Sequence, residues 1–201
     1  MRFSMTDRAF LHRSLLTIAT MCASLSLLAA EPAALKAGVF EPPGAAPGFS
    51  LQSSAGGELT LARHQGKVVL LGFGFTSCPE VCPTTLAVLA QARKRLGLQG
   101  EQVQVIYITV DPERDDAARM RGYLAGFDPT FLGGTGKPEQ LTAVRQKYGV
   151  TAERKAVGNS YSVGHSSSVY LIDRKGSLRA MMPYGRSPDD YVHDLRILLN
   201  E

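Results

Sequence analysis

Lys67-Val68-Val69-Leu70-Leu71-Gly72-Phe73-Gly74-Phe75 runs directly into Thr76-Ser77-Cys78-Pro79-Glu80-Val81-Cys82-Pro83. The first half is an almost continuous apolar run bounded by turn signals, the pattern of a strand covered on both faces. After it, Leu86, Leu89, Ala90 and Leu96 recur at helical spacing, and Arg93, Lys94 and Arg95 stand where cations favour the end of a helix. Two cysteines therefore lie where a central strand ends and a helix begins. In open α/β sheets that edge collects ligands, and a helix start lowers the pKa of a thiol. Pro83 lacks an amide proton and disfavours helical geometry at the residue before it. This places Cys82 near the N-cap, Pro83 at the first helical position and Cys78 in the preceding loop.

Further along, Phe49–Leu51 and Glu58–Leu61 read as short leading strands and Val103–Val110 as a second buried strand. Asp115–Ala125 reads as a helix, Phe131–Gly133 as a short strand, and Pro138–Tyr148 as a helix opened by proline. Residues 150–163 are polar and irregular and suggest a hairpin. Ser167–Ile172 and Leu178–Met182 are strands joined by Asp173-Arg174-Lys175-Gly176, and Asp189–Leu199 closes the chain as a helix. Alternation followed by a hairpin predicts an α/β protein of thioredoxin-like fold: a central mixed sheet flanked by helices, with an insertion before the closing hairpin.

The N-terminus bears on the compartment. Arg2, Arg8, His12 and Arg13 precede the uncharged stretch Ser14–Ala30, and a Pro/Ala-rich segment follows. That order reads as a signal peptide or an N-terminal membrane anchor over residues 1–30, with Ala30 as the cleavage site. Cys22 is preceded by Met21 where a lipid attachment site wants a small residue, so it reads as a small apolar side chain. Residues 31–47 read as a flexible linker and 48–201 as the working domain. The expected location is extracytoplasmic, in a bacterial periplasm, either soluble or held at the inner membrane. Of the 22 basic and 18 acidic residues, the first thirty hold three and one, leaving 19 and 17. A nearly balanced domain without a basic stripe argues against nucleic acid as a partner.

Outside the cytoplasm a thiol pair is oxidised unless it is kept reduced or held by a metal. Cys78 and Cys82 close too small a loop to staple a domain of this size. Their spacing is one residue longer than the familiar redox pair, which leaves redox work open, but a shared metal ion tolerates it well. Two thiolates with an imidazole suit copper, with zinc the competitor. Of the four histidines, His12 lies in the leader, His64 in a turn and His193 in the last helix. His165 precedes a buried strand, in the loop that faces the cysteine turn of a thioredoxin-like core. That loop commonly holds a cis-proline; here no proline occurs from Thr151 to Met182, and Gly164-His165-Ser166 takes its place.

Four segments together resemble the Sco/SenC copper proteins of cytochrome oxidase assembly. They are Gly66–Val69, Phe75–Leu86, Thr109-Val110-Asp111-Pro112-Glu113-Arg114-Asp115, and His165-Ser166 ahead of Tyr170–Asp173. The resemblance spans roughly residues 48–199. It implies that Cys78, Cys82 and His165 bind Cu(I) or Cu(II), with Asp111 near the site. The residue-level alternative is that Asp111 ends a strand and caps the next helix. The resemblance further implies a copper chaperone that delivers one ion to the binuclear copper centre of cytochrome c oxidase. Partners would be the copper-bearing oxidase subunit and other extracytoplasmic copper carriers. The competing reading is a thiol–disulfide reductase in which Cys78 attacks and Cys82 resolves, keeping the oxidase cysteines reduced. Glu80 stands where the family usually has Asp, and Gly164 where an acidic residue often precedes the histidine.

Overall fold

The computed structural model describes residues 34–201; the expected leader, with Cys22 and His12, lies outside them. The strands are β1 (Gly38–Ala45), β2 (Ser50–Ser53), β3 (Glu58–Thr60), β4 (Val68–Gly74), β5 (Val103–Thr109), β6 (Leu132–Thr135), β7 (Ala152–Val157), β8 (Ser160–His165), β9 (Val169–Ile172) and β10 (Ser177–Met182). The helices are α1 (Val81–Arg95), α2 (Ala117–Ala125), α3 (Pro138–Lys147) and α4 (Pro188–Leu199). No helix among the described residues is long and apolar enough to cross a membrane.

Eight strands form one sheet in the order β1-β10-β9-β4-β5-β6-β2-β3. The β4/β5 and β5/β6 pairs are parallel, and the others are antiparallel. The sheet is therefore mixed, as expected. All seven residues of β4 and of β5 are buried, which is why both read as unbroken apolar runs. Helix α1 packs on α4, and α2 lies on β6. The two later helices begin as their sequences dictate. Pro138 opens α3, and Ser187 accepts from the Asp190 amide while Asp190 reaches back to the Ser187 amide in a reciprocal cap of α4.

One feature differs from the sequence reading, and the expected hairpin insertion is present. Within the stretch expected to be a flexible linker, Gly38–Ala45 is an exposed edge strand paired with β10. Its register shifts between Val39 and Gly44, and Pro42 and Pro43 fall in that gap, where no ladder hydrogen bond is asked of them. Residues ahead of 48 therefore pair into the same sheet as the rest of the domain. The insertion is a separate two-stranded ribbon, β7–β8, turning through Gly158 at φ 57° and Asn159. Its second strand ends on His165.

Candidate metal centre

Helix α1 starts earlier than the prolines suggest. Its N-cap is Glu80, so Cys82 is the second helical residue and Pro83 the third. Proline is tolerated there because the first four amides of a helix have no intrahelical acceptor. Glu80 offers no side-chain cap. The Cys82 amide instead donates to the Cys78 sulfur at 3.5 Å, so the loop cysteine takes up one of the free donors at the helix start.

Cys82 and His165 are brought together across 83 residues of sequence, with Sγ and Nε2 3.5 Å apart. The other ring nitrogen of His165, Nδ1, donates to the Ser166 carbonyl at 2.8 Å. That leaves Nε2 without a proton and facing the sulfur, the tautomer a metal ligand needs. A sulfur about 2.3 Å and a nitrogen about 2.0 Å from one ion, at a tetrahedral angle, stand about 3.5 Å apart. Phe75 meets the imidazole edge-on, with ring centres 5.8 Å apart. Both cysteines are free thiols. Among the described residues no three His, Cys, Asp or Glu side chains are gathered as tightly as round a bound ion.

The helix start does not lower the Cys82 pKa as its position suggested. Burial pushes that thiol up to about 12, outweighing the lowering influence of Tyr107 and the Phe75 backbone. Cys82 is thus a neutral thiol at physiological pH until a cation compensates it. His165 titrates below the ordinary histidine range, chiefly because it is buried, with the Ser166 carbonyl opposing. His64 is lowered too, by burial and then by Lys67 and Arg63.

For a histidine whose folded pKa is depressed, the unfolded chain binds the proton more readily. Stability is then complete above the unfolded value of 6.5 and falls as the pH drops toward the folded one. The metal-free domain is therefore expected to unfold at lower urea concentration at about pH 5 than at about pH 7. Replacing both histidines with glutamine should shrink that difference, and an unchanged difference would contradict the assignment.

The turn from Asp111 to Asp115 holds both halves of the site. Asp115, fully buried, accepts from the Thr76 amide at 3.0 Å, the Thr76 hydroxyl at 2.6 Å and the Thr109 hydroxyl at 2.7 Å. Arg119 reinforces the loop by donating to Thr76 Oγ1 at 2.6 Å and Ser77 Oγ at 3.1 Å. Asp111, also fully buried, accepts from Arg114, from Arg154 at 3.3 Å and from the Tyr161 hydroxyl at 2.8 Å. Arg154 and Tyr161 belong to the ribbon that ends on His165. So Asp115 grips the cysteine loop and Asp111 grips the ribbon. Asp111 is not the cap of the following helix; Asp116 is, accepting from the Arg119 amide at 2.7 Å.

Asp115, Thr76 and Tyr107 did not stand out as site residues in the sequence. A second acid four residues after Asp111 was visible, but nothing local says which loop it reaches.

Fold and site together define a thioredoxin-like protein with a cysteine pair at a strand–helix junction and His165 against the second of its sulfurs. The family model described as SCO1/SenC matches residues 41–200. The mouse mitochondrial SCO2 homolog is 38% identical over 152 residues, covering 74% of this chain, and the chain spans 60% of that protein's length. An SCO2-like protein of Rickettsia conorii is 32% identical over 151 residues, 74% of each chain. The structure of Bradyrhizobium japonicum ScoI with copper bound superposes with a TM-score of 0.72 at 34% identity, covering 78% of this chain and all of that one. The chain belongs to the SCO1/SenC family.

Proposed function

We propose that this domain binds one copper ion through Cys78, Cys82 and His165 and delivers it to the binuclear copper centre of cytochrome c oxidase during assembly. The observation that carries this reading is the bare Nε2 of His165 at 3.5 Å from the Cys82 sulfur, the spacing of two donors around one ion. The donor set fits the metal: two soft thiolates and an imidazole favour Cu(I). Copper bound to the Bradyrhizobium relative supports the same choice. A cation there supplies the compensation that lets Cys82 lose its proton. Cys78 completes the set by giving up the weak bond from the Cys82 amide. A three-donor site leaves a side open for an acceptor's ligands, so the ion can pass by ligand exchange without being released to water.

The reductase alternative draws on a different observation: Cys78 is partly exposed while Cys82 is buried, the order expected of an attacking and a resolving thiol. The working location outside the cytoplasm follows from the same leader pattern and remains part of the proposal.

The test is a competition titration of the reduced protein with Cu(I) against a chelator. One ion per chain is expected, and His165→Ala should weaken binding by at least about a hundredfold. The same variant should still form a Cys78–Cys82 disulfide with oxidised glutathione. Unchanged copper affinity in His165→Ala would refute the three-donor site. Tight copper binding without any exchange with a disulfide peptide would refute the reductase.

A further inference from the structure

Strand β4 carries two glycines, Gly72 and Gly74, on one face in the middle of a fully buried strand. Glycine there weakens a strand, so it calls for a close approach that a side chain would block. The blocking group is Tyr107. It lies opposite Gly72 in the parallel neighbour β5. A Cβ on Gly72 would sit 2.8 and 2.9 Å from the Tyr107 ring, and one on Gly74 would sit 1.9 Å from its hydroxyl oxygen. The same Gly74 Cβ would lie 2.8 Å from the Cys82 sulfur. The hydroxyl and the sulfur thus share the space that the missing side chain leaves, no farther apart than those two distances together allow.

We propose that Tyr107 is a positioning residue for the thiol pair, its buried hydroxyl donating a hydrogen bond to the Cys82 sulfur. Gly72 admits the ring and Gly74 admits the hydroxyl, so the donor reaches the sulfur along one face of the sheet. The same sulfur meets His165 Nε2 at 3.5 Å. The phenol O–H cannot leave with an ion or a partner, which makes it a permanent donor to a sulfur whose other contacts change. It holds Cys82 on the histidine side and stabilises the reduced sulfur more than the disulfide, whose sulfur is the poorer acceptor. Burial raises the Tyr107 pKa well above the ordinary phenol value, so the group stays a donor. The role concerns Cys82 as a thiol and stands whether that thiol serves copper transfer or disulfide exchange.

The test is made on the metal-free, full-length protein and does not depend on copper. Wild type and Tyr107→Phe are equilibrated with glutathione at a series of ratios. Two protons and two electrons leave Cys78 and Cys82 and reduce one oxidised glutathione to two thiols. The disulfide fraction is read by alkylation and peptide mass. Losing one hydrogen bond of ordinary net strength should shift the equilibrium toward the disulfide by about threefold to tenfold, with unfolding still cooperative. Tyr123→Phe is the comparison, because the Tyr123 hydroxyl is buried without a hydrogen-bond partner among the described residues. It should leave the equilibrium within about twofold of wild type. The proposal falls if Tyr107→Phe also stays within that range, or if Tyr123→Phe shifts it equally. The copper titration of His165→Ala can fail or succeed independently of this result.

Discussion

Asp115→Ala is expected to lose about 3–5 kcal/mol of unfolding free energy, the range for removing one partner from a buried charged network. The carboxylate is fully buried and satisfies the Thr76 amide, the Thr76 hydroxyl and the Thr109 hydroxyl. Alanine leaves those donors facing a void. Each unsatisfied buried donor costs about 1–3 kcal/mol, partly recovered where water enters or a hydroxyl turns. The loss is not confined to stability, since Thr76 lies two residues before Cys78 and its release loosens the whole cysteine loop. Copper affinity should fall even at temperatures where the variant remains folded. Asp115→Asn keeps the size and one acceptor oxygen and is expected to lose about 2 kcal/mol. Urea unfolding followed by circular dichroism gives both numbers, with an unchanged m-value showing that the denatured state is the same. A loss under about 1 kcal/mol in Asp115→Ala would mean that the cysteine loop holds itself.

Gly74→Ala gives the second large effect, and its sign is what makes it informative. On backbone grounds alone alanine should stabilise a strand by about 0.5–1 kcal/mol over glycine. The structure demands the opposite, because the new methyl would sit 1.9 Å from the Tyr107 hydroxyl, 2.6 Å from its ring carbon and 2.8 Å from the Cys82 sulfur. None of these is the free end of a flexible chain: the tyrosine is buried, and the sulfur is on the second residue of α1. A net loss of about 2–3 kcal/mol is expected, in the range for overpacked cores. Copper affinity and the Cys82–His165 spacing should change with it. Adding Tyr107→Phe removes the closest clash, so the double variant should be less destabilised than the two single effects predict. A stabilised Gly74→Ala would show that hydroxyl and sulfur do not crowd this glycine.

Asp115 and Gly74 both act through partners far away along the chain. The run Lys67–Phe75 announced a buried strand, and its context announced the strand–helix junction, because periodicity and the backbone limits of proline and glycine act over a few residues. Even there the register slipped. The prolines predict that α1 begins at Pro83, whereas the helix starts at Val81 and keeps Pro83 in its first turn. The missing proline before β9 singled out His165, since the loop opposite the cysteine turn is a property of the fold and not of its partners. Residues 31–47 looked flexible by composition because an edge strand gains its order from the neighbour it pairs with, here β10.

The amino-acid sequence alone established the mixed α/β architecture, the cysteine pair at the end of its central strand and the histidine as the third candidate. Long-range register supplied the rest. Gly72 sits beside Tyr107 only because β4 and β5 pair in parallel at one offset. Asp115 reaches Thr76 across 39 residues, and Tyr161 reaches Asp111 across 50. Such contacts are settled by how elements stack and where loops return. Their chemistry is written in individual side chains, but their pairing is a consequence of the folded sheet, to which no spacing along the chain corresponds.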